Sequence, residues 1–202
     1  ASSAASDVYK RQVAVTQVSN VLGCVNDIPE LVKRARACGA AILMDAAQSA
    51  PHMPIDVQKL DVDFVAFSGH KMLAPMGIGV LYGKQELLEK MPPFLTGGEM
   101  IETVSRYDAV YAELPHKFEA GTVNAGGAVG LAAAIDYLES YGMDKLHAVE
   151  QELTAYLFRG MKAIPHIHVL GSDREDNHTG IVSFAVDQVC LLYTSPRPRD
   201  CS

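Results

Sequence analysis

Three short apolar runs in this 202-residue sequence are each followed at once by groups able to do chemistry. Ser19 and Asn20 follow the first, Asp45 and Gln48 the second, and Ser68, His70 and Lys71 the third. A carboxylate, carboxamides, hydroxyls, an imidazole and an amine in one crevice match the parts of pyridoxal phosphate (PLP). That cofactor needs a lysine for its Schiff base, an aspartate beside the protonated pyridine nitrogen, and small hydroxyl and imidazole donors for its phosphate. The aspartate matters because a protonated ring is an electron sink for a carbanion at the substrate's alpha carbon. Taken singly, each residue has a plainer reading: Lys71 as a solvated amine, Asp45 as a cap or loop residue, Gln48 and Asn20 as turn polarity. Only their common placement after adjacent strands argues for a site.

Periodicity supplies the framework on which these groups sit. Residues 13–18, 40–44, 64–67 and 77–82 read as short buried strands, and Ile28, Leu31, Val32, Ala35 and Cys38 recur at helical spacing before Gly39. A short helical turn is expected over 57–60. Strands alternating with amphipathic helices specify an α/β core with a mostly parallel sheet, whose ligands bind beyond the carboxyl ends of the strands. Residues 87–114 are less regular and read as a lid or interface excursion. A helix is expected from about Gly126 to Tyr141, then a second with Leu146, Val149, Leu153, Tyr156 and Leu157 on one face, ending before Pro165. Strands over 167–170 and 181–186 follow. The change of rhythm after Gly142 divides a large domain, 13–142, from the start of a small one, 143–189. The stretches 1–12 and 190–202 look foreign to this pattern and are expected to be non-native tails.

Composition narrows the class. Hydrophobic residues make up 49% and charged residues 20%, enough to build a core. The net charge of −7 offers no basic surface for nucleic acid. The longest apolar stretches are far shorter than the ~20 residues of a membrane helix. Cys24, Cys38, Cys190 and Cys201 form no CxxC pair and no secretory leader opens the sequence, so a reducing, cytoplasmic setting is expected. Gly77-Ile78-Gly79 precedes a strand instead of opening a helix, the wrong context for a dinucleotide loop. His166 and His168 alternate on a strand with no carboxylate or thiolate at matching spacing, and read as a half-exposed face in preference to a metal site. Met72, Met76, Met91 and Met100 read as gap-fillers near the site.

Ser68-Gly69-His70-Lys71, preceded by Asp45-Ala46-Ala47-Gln48, resembles the cofactor site of the class V aminotransferase family. The string from Gln48 to Val57, with Asp63-Phe64 and Gly98-Glu99-Met100-Ile101, most resembles the Suf-type (group II) cysteine desulfurases, and the likeness runs over residues 13–186. It implies the PLP-dependent transferase fold of the aspartate aminotransferase-like kind, fold type I. It also implies roles: Lys71 as the Schiff-base lysine and acid–base catalyst, Asp45 on the pyridine nitrogen, Gln48 and Asn20 on the ring oxygen, Ser68 and His70 on the phosphate. Thr122, in Phe118 to Thr122, would reach the phosphate of the other subunit, so the resemblance implies a homodimer. The implied reaction converts L-cysteine to L-alanine, with sulfur passed as an enzyme persulfide to an acceptor protein of the Suf system for iron–sulfur cluster assembly.

The family's nucleophilic cysteine and a substrate-carboxylate arginine lie beyond the region matching Val186, and none of the four cysteines here is assigned the role. The chain alone is expected to be inactive. Ala46 stands where this subgroup has glycine, Gln17 where histidine is common, and Met72-Leu73-Ala74-Pro75-Met76 where Tyr-Gly-Pro-Thr is usual. Selenocysteine lyase, or another class V enzyme, and a non-catalytic PLP-binding or dimerisation remnant are the competing readings.

Overall fold

A computed structural model describes residues 12–189. Apolar pentads form β1 (Gln12–Thr16), β2 (Ala41–Asp45) and β3 (Phe64–Ser68), which pair in parallel, and β4 (Gly79–Gly83) completes the order β1-β2-β3-β4. The expected parallel core is present, but β4 runs antiparallel to β3. Gln12, the last residue of the expected N-terminal tail, opens β1 opposite Ala41. Residues 1–11 and 190–202, with Cys190, Cys201 and the rest of both expected tails, lie outside the described residues.

Helix α1 (Ile28–Ala37) forms where local signals agree. The Asp27 side chain accepts from the Glu30 N–H, Pro29 occupies the first turn, and Gly39 at φ 64° follows the cap. It turns Ile28, Val32 and Ala35 onto Ile42, Met44 and Val65 of the sheet, with Ile42 and Met44 fully buried. Helix α2 (Val57–Leu60) is one turn capped by Asp56. The irregular stretch expected over 87–114 takes in the end of α3 (Gln85–Lys90) and a hairpin of β5 (Ile101–Val104) and β6 (Ala109–Tyr111).

Helix α4 (Ala125–Tyr141) buries Leu131, Ala134 and Leu138 and passes so close to the loop after β3 that a Cβ on Gly130 would lie 2.6 Å from Pro75. Helix α5 (Met143–Lys162) buries Thr154, Phe158 and Met161. The face carrying Val149, Leu153 and Tyr156 is left 59–76% exposed. The antiparallel pair β7 (Ile167–Val169) and β8 (Phe184–Val186) follows. His168 there meets Asp187 at 2.8 Å, an exposed pair. Met72 and Met100 are buried as expected of gap-fillers, whereas Met76 is 85% exposed and fills nothing. Among the described residues no helix is long and apolar enough to cross a membrane.

Candidate active site

The register of the parallel strands decides which strand ends lie level. Thr16 lies opposite Asp45, and Asp45 opposite Ala66, so Asp45 is level with a point two residues short of Ser68. Strands are about 4.8 Å apart. The ends of β1, β2 and β3 therefore share one edge, and the loop after each strand projects from that edge. Lys71 lies in a 3-10 turn, Gly69–Met72, entered directly from β3. Asp45 and Lys71 are thus on the same edge of the sheet, as the sequence requires.

Each loop is fixed by its own bonds. In the lysine turn the Gly69 N–H donates to Ile78 O at 2.9 Å, and Met72 is buried beneath. A Cβ on Gly69 would lie 2.7 Å from Ile78 Cγ2, so the close approach of turn and β4 requires glycine. The turn leaves Lys71 half-buried and His70 exposed. After β2, the Ala46 N–H bonds Ala66 O and residues 46–50 make one helical turn, with Ala50 N–H on Ala46 O at 2.8 Å. Asp45 Oδ1 accepts from the Ala47 N–H at 2.9 Å, the ordinary turn role. Gln48, one turn on, is half-buried. Asn20 is at the exposed tip of a loop closed by the Val18–Val25 bridge and by Ser19, whose Oγ accepts from the Leu22 N–H.

Thr122 is exposed on the segment leading into α4, and no hydrogen bond among the described residues ties it to the strand-edge group. The nearest link is Asn124, whose Oδ1 caps α4 at Gly127 N–H and whose Nδ2 donates to Gly77 O at 3.1 Å, in the loop after the lysine turn. Sequence reasoning did not single out Asn124. An asparagine before a helical run signals a cap, but its second bond is a tertiary fact. Asn26 was also missed: its N–H and Nδ2 donate to Gln17 O and Thr16 O, each at 2.8 Å, holding the end of β1.

Among the described residues, Asp45, His70 and Lys71 enter no ion pair. A carboxylate and an amine held on one strand edge with no internal countercharge are free to grip a ligand with complementary groups. That donor set fits a phosphorylated pyridine aldehyde: an amine for the carbonyl carbon, a carboxylate oxygen for the ring nitrogen, carboxamides, and a hydroxyl and imidazole for the phosphate.

Residues 6–192 match the family Aminotransferase class-V. The chain belongs to that family. A Streptomyces coelicolor protein named "Probable cysteine desulfurase" is 52% identical over 177 residues, 88% of this chain and 42% of that protein. The apo cysteine desulfurase of Thermococcus onnurineus has a TM-score of 0.84 to this chain at 42% identity, covering 91% of this chain and 46% of that one. The enzyme C-DES, in a mutant with glycine covalently linked to its PLP cofactor, has a TM-score of 0.78 at 29% identity, covering 88% of this chain and 47% of its own. The class-V chain described here therefore spans less than half the length of each of these relatives. Its α/β architecture is that of fold type I.

Proposed function

We propose that this chain carries the cofactor-binding centre of a PLP-dependent cysteine desulfurase of the Suf type. The observation that supports the reading is a shared strand edge: Asp45 ends β2 and Lys71 lies in the turn leaving its parallel neighbour β3, neither with an ion-pair partner among the described residues. The cysteine desulfurases among its relatives support the substrate class. When bound, PLP supplies the electron sink that stabilises a carbanion at the substrate's alpha carbon.

In this reading the Lys71 Nζ holds the cofactor covalently and, once released, moves the proton at the substrate's alpha carbon. Asp45 keeps the pyridine nitrogen protonated, Gln48 and Asn20 orient the ring oxygen, and Ser68 and His70 hold the phosphate. Thr122 serves the phosphate of a second copy in a homodimer. Sulfur leaves L-cysteine as a persulfide on an enzyme cysteine, leaving L-alanine, and passes to an acceptor protein for iron–sulfur cluster assembly. Cys38 follows α1 next to the start of β2, at the opposite end of the sheet from Asp45, and the Cys24 Sγ is engaged by the Ser172 N–H. Neither is assigned the sulfur chemistry in this reading.

Titration of the chain with PLP tests the assignment. The expected result is a new visible absorption band and, after borohydride reduction, a cofactor adduct on the peptide containing Lys71. Lys71→Ala is expected to abolish both, without release of alanine from cysteine by either protein. An unchanged band in the Lys71→Ala variant overturns the assignment.

A further inference from the structure

The loop that bears Asn20 is held from outside by a part of the chain about 155 residues away, and this deepens the cofactor reading on which it rests. Residues 172–183, between β7 and β8, run against the tip of the loop. The Thr179 N–H donates to Gly23 O at 2.9 Å and the Val25 N–H to Asn177 O at 3.3 Å. The Ser172 N–H donates to Cys24 Sγ at 3.2 Å, and the Ser183 hydroxyl donates to Val21 O. An antiparallel bridge joins Cys24 to His178.

The fit leaves no spare room. Gly23 has φ 68° and a Cβ there would lie 1.9 Å from Ile181 O, so the two segments meet only because the residue is glycine. The outer segment is itself anchored. His178 is 3% exposed, shares a 2.9 Å contact between Nε2 and Ser172 O, and packs its ring 5.0 Å from Phe158 of α5. On the sheet side the loop is tied at its base, through Val18, Val25 and Asn26, and within itself by the Ser19 N–H on Cys24 O and the Gly23 N–H on Ser19 O, while no hydrogen bond among the described residues involves Asn20 itself.

We propose that residues 172–183 are a positioning clamp for Asn20, so that the placement of α5 and the β7–β8 pair sets the geometry of one cofactor ligand. A displacement of that unit would pull on Gly23 through the Thr179 N–H and on Val21 through the Ser183 hydroxyl, and carry Asn20 with them. Gly23, Thr179 and Ser183 are positioning residues: they act on the cofactor only through Asn20.

A double-mutant cycle tests this in the full chain, read by PLP affinity and by the pH titration of the cofactor's visible band, which reports the hydrogen bond to the ring oxygen. Asn20→Ala is expected to weaken binding and shift the titration. Gly23→Ala, which wedges the clamp open, and Ser183→Ala, which removes one bond without inserting an atom, are expected to shift the titration in the same direction. In the Asn20→Ala background, Gly23→Ala should add less than about twofold in affinity, because contacting or serially linked residues are non-additive. Ser183→Ala decides the matter should Gly23→Ala fail to fold. A Gly23→Ala or Ser183→Ala effect that is absent, or that is equally large with and without Asn20, overturns the clamp while leaving the cofactor reading intact. Failure of the unmodified chain to bind PLP overturns the cofactor reading, and the clamp with it.

Discussion

The two ends of the parallel sheet use the same kinds of residue to opposite effect. At the amino end, Asp63 is 5% exposed at its side chain and receives both Arg36 guanidinium nitrogens, at 2.6 and 2.7 Å, and the Ile42 N–H at 2.8 Å. Lys84 reaches Asp61 and stands 3.5 Å from Asp63, while Arg36 also donates to Asp61 O. At the carboxyl end, Asp45 and Lys71 have no such partners among the described residues. The difference separates charge neutralised within the fold, which secures the sheet, from charge that has no ion-pair partner among the described residues, as the proposed ligand role of Asp45 and Lys71 requires.

Breaking the paired end gives the largest expected effect on stability. Asp63→Ala strands the Ile42 N–H and removes the countercharge of Arg36, and is expected to cost about 2–4 kcal/mol in denaturant unfolding. Lys71→Ala and Asp45→Asn at the other end are each expected to change stability by no more than about 0.5 kcal/mol while disabling cofactor attachment or tuning. Equal destabilisation at both ends would erase the contrast.

The amino end is also expected to be the more acid-sensitive. Burial pushes the Asp63 carboxyl up, but the hydrogen bonds from Arg36 and Ile42 and the charges of Arg36 and Lys84 outweigh it, so the group stays below its usual value. A carboxyl with a depressed folded pKa contributes stability that is present above its unfolded pKa, near ~3.9, and lost as pH falls through the folded value. The stability gap between the unmodified chain and Asp63→Asn should therefore be constant above about pH 5 and close as the solution is acidified below about pH 4. A gap that widens on acidification would contradict the pairing. The smallest effect belongs to the exposed Glu30–Arg34 pair of α1, at 2.8 Å. Arg34→Ala is expected to cost about 0.5 kcal/mol or less, marking the scale of a pairing without burial.

Helices α1 and α5 show how far the fold was legible. In α1, cap and stop agree with the apolar stripe, and of its five residues Ile28, Val32 and Ala35 are buried as the spacing predicts, Leu31 is half-buried and Cys38, at the cap, is exposed. In α5 the spacing finds the helix but not its buried face. The stripe through Val149, Leu153 and Tyr156 faces outward, while Thr154, Phe158 and Met161 meet the chain. Periodicity states which side chains gain from burial, not which side has a neighbour. The antiparallel β4 had a readable signal: the connection over 69–78 is shorter than the dozen or so residues a parallel crossover needs.

Sequence alone determined the α/β alternation, the short strands and the chemical groups placed after them, because period, turn residues and residue type are local properties. It located Asp45, Gln48, Ser68, His70 and Lys71 at strand ends without the distances between them. Tertiary structure decided the register that levels Asp45 with the approach to Lys71, the neutralisation of Asp63 but, among the described residues, not of Asp45, the second bond of Asn124, and the grip of residues 172–183 on Gly23. Each of these is a contact between segments far apart in the chain, set by which surfaces pack and which polar groups then find partners.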